Sequence, residues 1–334
     1  MKSTARKIVS ILLIVCGALT LLGGTVFTIG MAAAGWDFTI LNTVEYKYKT
    51  YETNGSPTEI VMEFETTDIA VYFDDTATQI RVEYPEAYNK KGKQISTVTV
   101  AEADGKLVLR EETKGWESFI WNIGPSACAS VYVPSGYLPS ADGCALRLET
   151  DTGDVTLHGN AALRSLTIET DTGDLSLSEL TAENLQIEVD TGDVTLNGKV
   201  TLTGALTVET DTGDLKISDM VTAKTISLKT DTGEIYAKKM LTGEAIALRT
   251  STGDIECNGP LHGTSLILST STGDIEARIA GQNTEYAITV EQSTGSTNVH
   301  SNLESVTNAT KSLKLKTGTG DIHVEFVIQP TNTL

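Results

Sequence analysis

The chain has 334 residues and is strongly acidic, with Lys+Arg 25 against Asp+Glu 44 and a net charge of −19. That balance excludes nucleic-acid binding, which needs a basic stripe, and docking onto anionic lipid. Aromatic residues make up only 6%, which leaves Leu, Ile and Val to build the core.

Residues 1–7 form a basic tip carrying Lys2, Arg6 and Lys7, and Ile8 to Ala34 follow without a charged residue. A charge-free run of this length spans about 30 Å of hydrocarbon. Residues 8–34 are therefore expected to be a single transmembrane helix. The positive residues precede it, which predicts a cytoplasmic N-terminus and an extracellular remainder, a single-pass protein of the cell membrane. A cleaved signal peptide is the rival, because Ala32-Ala33-Ala34 resembles a cleavage site. Residues 35–57 read as a polar juxtamembrane spacer holding Tyr46, Tyr48 and Tyr51 and closing on the turn Asn54-Gly55-Ser56-Pro57.

Residues 58–141 carry strand patterns at loose spacing and read as irregular β coils with a cap. Ile60-x-Met62-x-Phe64, Glu65-Thr66-Thr67-Asp68 and Ile69-x-Val71-x-Phe73 form a worn repeat. Asn89 to Gln94 predicts an exposed hairpin or loop. Trp116, Phe119 and Trp121 suit a plug over the open first coils, since a solenoid must hide its terminal cross-section.

Residues 142–328 are organised by one pentad. Thr-Asp-Thr-Gly-Asp stands at Thr150–Asp154, Thr170–Asp174 and Thr210–Asp214, with variants elsewhere, and residues 329–334 are a short tail. The pentad glycines fall at 153, 173, 192, 213, 233, 253, 273, 295 and 320, in steps of 20, 19, 21, 20, 20, 20, 22 and 25. A fixed period in this range marks a repeat array. Apolar residues alternate with polar ones on both sides, as in Leu206-x-Val208 before one pentad and Leu215-x-Ile217 after it. That is the period of half-buried strands. Each repeat is strand, corner, strand and return segment, the last holding one apolar residue such as Leu180, Met220 or Met240. The predicted fold is all-β: a parallel β-helix-like solenoid of about 20-residue coils behind one N-terminal transmembrane helix.

Glycine lets the corner take a positive φ, and Asp and Thr can satisfy amides the corner leaves unpaired. Stacking about 4.8 Å apart places Asp151, Asp171, Asp190, Asp211 and Asp231 in one column. Asp154, Asp174, Asp193, Asp214, Glu234, Asp254 and Asp274 form another. Unit charges at that spacing repel by about 0.9 kcal/mol in water, a cost that structure alone tolerates. No cofactor is expected. Structural Ca²⁺ between coils is the one alternative, and Ser251 and Ser271 count against it by breaking the first column.

No metal or catalytic residues emerge. His158, His262, His300 and His323 fall on separate coils, Cys16 lies in the apolar run, Cys257 takes an inward strand position, and a Cys128–Cys144 pair is disfavoured by parity. Glycan-cleaving β-helices need carboxylates converging in a cleft walled by long loops. Here repetition accounts for the carboxylates, and coils near 20 residues leave no room for such loops.

Val131-Tyr132-Val133-Pro134-Ser135-Gly136, Leu146-x-Leu148 and the runs of Thr-x-Thr-Gly-Asp resemble the bacterial putative adhesin domain family of unknown function. The resemblance covers about residues 58–328. It implies a cell-envelope protein with a β-solenoid outside the membrane, in some members beside envelope-stress genes, and it brings no site residues with it. The resulting expectation is a non-enzymatic, membrane-anchored surface scaffold for adhesion or envelope sensing. A partner-binding accessory of an envelope-stress system and, more weakly, a glycan-active β-helix are the alternatives. Its partners would be the membrane, through residues 8–34, and an unknown protein or glycan ligand. End-to-end self-association is a further option.

Overall fold

The computed structural model describes residues 44–114, 126–137, 143–302 and 309–328, together with Thr28 and Ala32. The expected transmembrane run, the plug residues Trp116, Phe119 and Trp121, and the tail lie outside the described residues, Thr28 and Ala32 excepted. Among the described residues no helix is long and apolar enough to cross a membrane.

Each regular coil has three strands, because the alternation of its apolar residues is interrupted at two places. A long strand such as Ala205–Thr212 points Leu206, Val208 and Thr210 inward and Thr207, Glu209 and Asp211 outward. The Gly-Asp corner follows, then a short strand, Leu215–Ile217, with both ends buried. A second turn leads into Val221–Thr222, with Val221 buried. Successive coils pair in parallel and in register, so Leu206 lies beside Leu185 and Ile226. The long strands form a 12-stranded sheet and the short strands a 17-stranded one, with the apolar core between them.

Two expectations need correction. Met220 is 39% exposed, and the inward residues of its return segment and the next are Val221 and Leu241. The turn after Leu177 has two residues, Ser178 and Glu179, whereas the turn after Ile217 has three, so Met220 falls in the turn. That shorter turn accounts for the step of 19. The polar spacer is also partly structured. Val44–Glu52 is a strand running antiparallel to Arg81–Asn89, and the Lys49 ammonium lies 2.7 Å from the buried Glu86 carboxylate. The Asn89 to Gln94 segment is a turn as expected, its Asn89 side chain accepting the amides of Lys91 and Lys93.

At both ends, spatial order departs from chain order. In the long-strand sheet, Glu59–Phe64 sits between Lys106–Thr113 and Ala145–Thr152. The worn repeat is thus the coil that abuts the regular stack, and the later strands Lys106–Thr113 and Cys128–Pro134 lie outside it. At the far end, Lys311–Thr319 sits between Ser265–Ser269 and Tyr286–Thr294. The chain skips one coil position, forms the outermost coil with residues 286–302, and returns to fill the gap. This outermost strand has its free edge blocked: Asn302 Oδ1 accepts the Ile288 amide, Asn302 Nδ2 donates to the Tyr286 carbonyl, and Ser301 Oγ accepts the Val290 amide. Covering an edge in this way opposes end-to-end strand pairing there.

Candidate functional site

The corners repeat one hydrogen-bonding device. Gly213 has φ 151°, a region glycine favours, and a Cβ built on it would stand 1.9 Å from the Gly192 carbonyl oxygen. Corner glycines therefore stack backbone on backbone. The Asp that follows completes the stack: Asp154 Oδ1 accepts the amide of Asp174 at 2.8 Å, Asp174 that of Asp193, Asp193 that of Asp214, and Asp214 that of Glu234. The series begins at Asp68 of the worn repeat, which accepts the Asp154 amide. It breaks at Glu234, resumes with Asp254 accepting the Asp274 amide, and ends with Asp274 accepting Asp321 and Asp321 accepting Ser296. The outermost coil has no further coil to serve, and it carries Ser296 in place of Asp.

Threonine performs the complementary task on the inner side. Thr210, Thr230, Thr250, Thr270 and Thr317 are buried and donate their hydroxyls to the corner glycine carbonyl of the preceding coil. Both side chains thus act between coils rather than within one corner. In the worn repeat, Glu111 stands in for the lost glycine corner. Its buried carboxylate accepts the amides of Glu65 and Thr66 and the Thr67 hydroxyl. The sequence holds no signal for that contact, because Glu111 belongs to a coil that is distant in the chain.

Charge perturbation along this row is modest and of both signs. Asp193 is held below the usual carboxylate value by the Asp214 amide and then by Lys216, whose ammonium lies 3.1 Å from Asp193 and from Asp214. Asp68 is raised because burial outweighs the amide it accepts. Glu234 is raised by burial and by Glu256, Asp214 and Asp254. Among the described residues no group of three or more His, Cys, Asp or Glu is arranged to hold a metal ion. One oxygen of nearly every corner Asp is already engaged with an amide.

The outward face of the long strands presents continuous rows. Glu149, Glu169, Glu188, Glu209, Lys229, Arg249, Ser269, Lys316 and Glu291 form one row in spatial order. Asp151, Asp171, Asp190, Asp211 and Asp231 flank its first part, as the sequence expects, each two residues further along its strand. On the short-strand sheet, an aromatic row runs Tyr132, Tyr72, His158, with ring centroids 5.1 and 4.8 Å apart and Arg81 over Tyr132 at 4.1 Å. A shallow open trough of about 590 Å³ follows the third corner past Ala223, Lys224, Gly243, Glu244 and His262. Its glycines have a structural cause, since a Cβ on Gly263 would meet the Gly243 carbonyl at 2.8 Å. Cys128, Cys144 and Cys257 are free thiols, and burial pushes Cys257 up to about 12.

These features define a parallel β-solenoid whose corners are tied by side chains from coil to coil and whose faces are flat rows of repeated groups. The chain belongs to the Toastrack DUF4097 family, whose model matches residues 57–329. No curated protein matches it. Among solved structures, it is similar to a putative adhesin from Bacteroides fragilis, at 16% identity, covering 84% of this chain and 97% of that one with a TM-score of 0.41. A putative adhesin from Parabacteroides merdae is 13% identical, covering 84% and 96%, with a TM-score of 0.43.

Proposed function

We propose that this protein is a membrane-anchored, extracytoplasmic scaffold whose stacked coils offer a rigid, non-catalytic surface for adhesion or envelope sensing. The observation that supports this reading is the long-strand face, where exposed side chains of like kind recur in register from coil to coil. Repeated groups about 4.8 Å apart suit an extended or repetitive ligand, such as a glycan strand or a protein edge, better than a small molecule. Side-chain hydrogen bonds between corners hold that surface in a fixed geometry before a ligand arrives, which lowers the ordering cost of binding. The charge-free run at residues 8–34, preceded by Lys2, Arg6 and Lys7, supports the anchor and its orientation.

The test has two arms. Protease added to intact cells should remove the coils while sparing the apolar N-terminal segment, and full protection of the coils would reverse the orientation. The full chain should then retain glycans or envelope proteins on an array without altering them. Turnover of a bound glycan, lost on replacing a single carboxylate, would replace the scaffold reading with a catalytic one.

A further inference from the structure

The face that carries the long rows is segregated by charge along the stack. Strands at residues 165–172, 184–191 and 205–212 expose Glu169, Asp171, Glu188, Asp190, Glu209 and Asp211 and no cation. Glu169 and Glu209 are paired from neighbouring coils by Arg147 and Lys229, while Glu188, Asp171 and Asp190 have no cation partner among the described residues. Beyond residues 225–232, where Lys229 and Asp231 balance, the same face turns basic. It presents the exposed Arg249, then the half-buried Ile267 and Ser269, then the exposed Lys314 and Lys316. Arg249 is exposed and pairs with no carboxylate among the described residues.

The basic half owes its last part to the interposed coil. In chain order, the strand after Ser265–Ser269 would be Tyr286–Thr294, with Glu291 in the row. The returning strand Lys311–Thr319 sets Lys316 beside Ser269 and pushes Glu291 to the outer end.

Resting on the adhesion reading above, we propose that the occupant of this face is a second copy of the chain, anchored on a facing membrane because the two N-terminal ends point apart, and packed face to face with antiparallel stacks about a two-fold axis along the 225–232 strand. Such an axis sets the strand at 205–212 of one copy over 245–252 of its partner, 184–191 over 265–269, and 165–172 over 311–319. Glu209 then meets Arg249 of the partner subunit, and Glu169 meets Lys316 of the partner subunit. Every acidic coil of the half-face opposes a basic or neutral one, and the relation holds twice because the interface is isologous. Like charges meet only at Lys229 and Asp231 on the axis and where Glu149 faces Glu291. In each case a cis ion pair already screens the group: Lys229 with Glu209 and Asp231, Glu149 with Arg147, and Glu291 with Lys314. The extent is adequate. Strands of eight residues span about 26 Å, and eight steps of about 4.8 Å cover about 38 Å, giving about 1,000 Å² per copy against about 800 Å² in a standard interface.

Sedimentation of the full chain tests this. A dimer is expected at low salt, dissociating as sodium chloride rises, because exposed charge pairs are screened. Arg249→Glu should weaken it at least about tenfold, as Glu209→Arg should, and the double swap should restore it, since each reversed pair re-forms across the interface. A short thiol-reactive crosslinker should join two copies of Ser227→Cys, which lies beside the axis. It should not join copies of Thr195→Cys on the short-strand sheet, nor the unsubstituted chain with its native cysteines. Unchanged melting temperatures would show that the single variants still fold. A monomer at low salt would overturn the proposal, leaving the face to a foreign ligand. So would a dimer indifferent to Arg249→Glu, or one in which Ser227→Cys does not crosslink.

Discussion

Asp193 Oδ1 accepts the backbone amide of Asp214 at 2.9 Å, although the two residues lie 21 apart in the chain. The bond joins one coil to the next at the point where the backbone turns, and its acceptor is charged. Replacing Asp193 by Asn keeps an acceptor oxygen and loses the charge, together with the attraction of Lys216. Replacing it by Ala leaves the Asp214 amide without its partner. The Asn variant should therefore melt close to the parent, and the Ala variant should lose about 1 kcal/mol. Equal losses in calorimetric melts would mean that charge, rather than the hydrogen bond, is what matters.

The same carboxylate predicts an acid dependence. Its folded pKa is depressed, first by the Asp214 amide. Its contribution is therefore fully present above the unfolded value of about 3.9 and is lost as pH falls through the lower folded value. Asp68 has the opposite sign. Burial raises it, so its contribution is present below the unfolded value and disappears as pH rises through the folded one. Between neutral pH and strong acid, Asp193→Asn should flatten the fall in stability, and Asp68→Asn should steepen it. Denaturant melts across that range would expose an error if both variants shifted the same way.

Gly213 leaves no room for a side chain. Its φ of 151° and the 1.9 Å approach of a Cβ to the Gly192 oxygen both oppose substitution. Gly213→Val should cost more than about 4 kcal/mol, whereas Thr207→Val, at an outward strand position, should stay within about 0.5 kcal/mol. Similar melting temperatures for the two would remove the close-stacking argument.

Thr170 is the odd member of the inner threonine row. Its Oγ1 is buried without a hydrogen-bond partner, and Val189 occupies the equivalent place in the next coil. Thr230 by contrast donates to the Gly213 carbonyl at 2.9 Å. Thr170→Val should be neutral or stabilising, and Thr230→Val should cost about 1 kcal/mol. Chemical denaturation of the pair decides it; a larger loss at Thr170 would show a partner unaccounted for.

Removal of residues 311–334 takes away an internal coil rather than a terminal one. The strand Tyr286–Thr294 pairs with Lys311–Thr319 and would lose its only strand neighbour among the described residues. Amide protection should vanish across residues 286–302 in the truncated chain, as hydrogen exchange would show. Retained protection there would mean that residues 286–302 can dock directly on the 265–280 coil.

The sequence by itself determined the coil: its period, its glycine corner, and which side chains of the strands beside that corner face inward. Those properties are local, since alternation fixes parity within a strand and a positive φ selects glycine at one position. The worn repeat at Glu65-Thr66-Thr67-Asp68 was legible for the same reason, although nothing local announced that Glu111 would close it. Chain order says nothing reliable about the order of the stack. Parallel in-register pairing asks only for an equivalent strand on each side, so any coil satisfies its neighbours whatever its place in the chain. One sequence mark of the terminal coil exists in Ser296, since a corner with no coil beyond it has no amide to accept. Only the tertiary structure sets Lys314 and Lys316 beside Ser269, and with them the basic half of the face, because that row is assembled from strands that are neighbours in space alone.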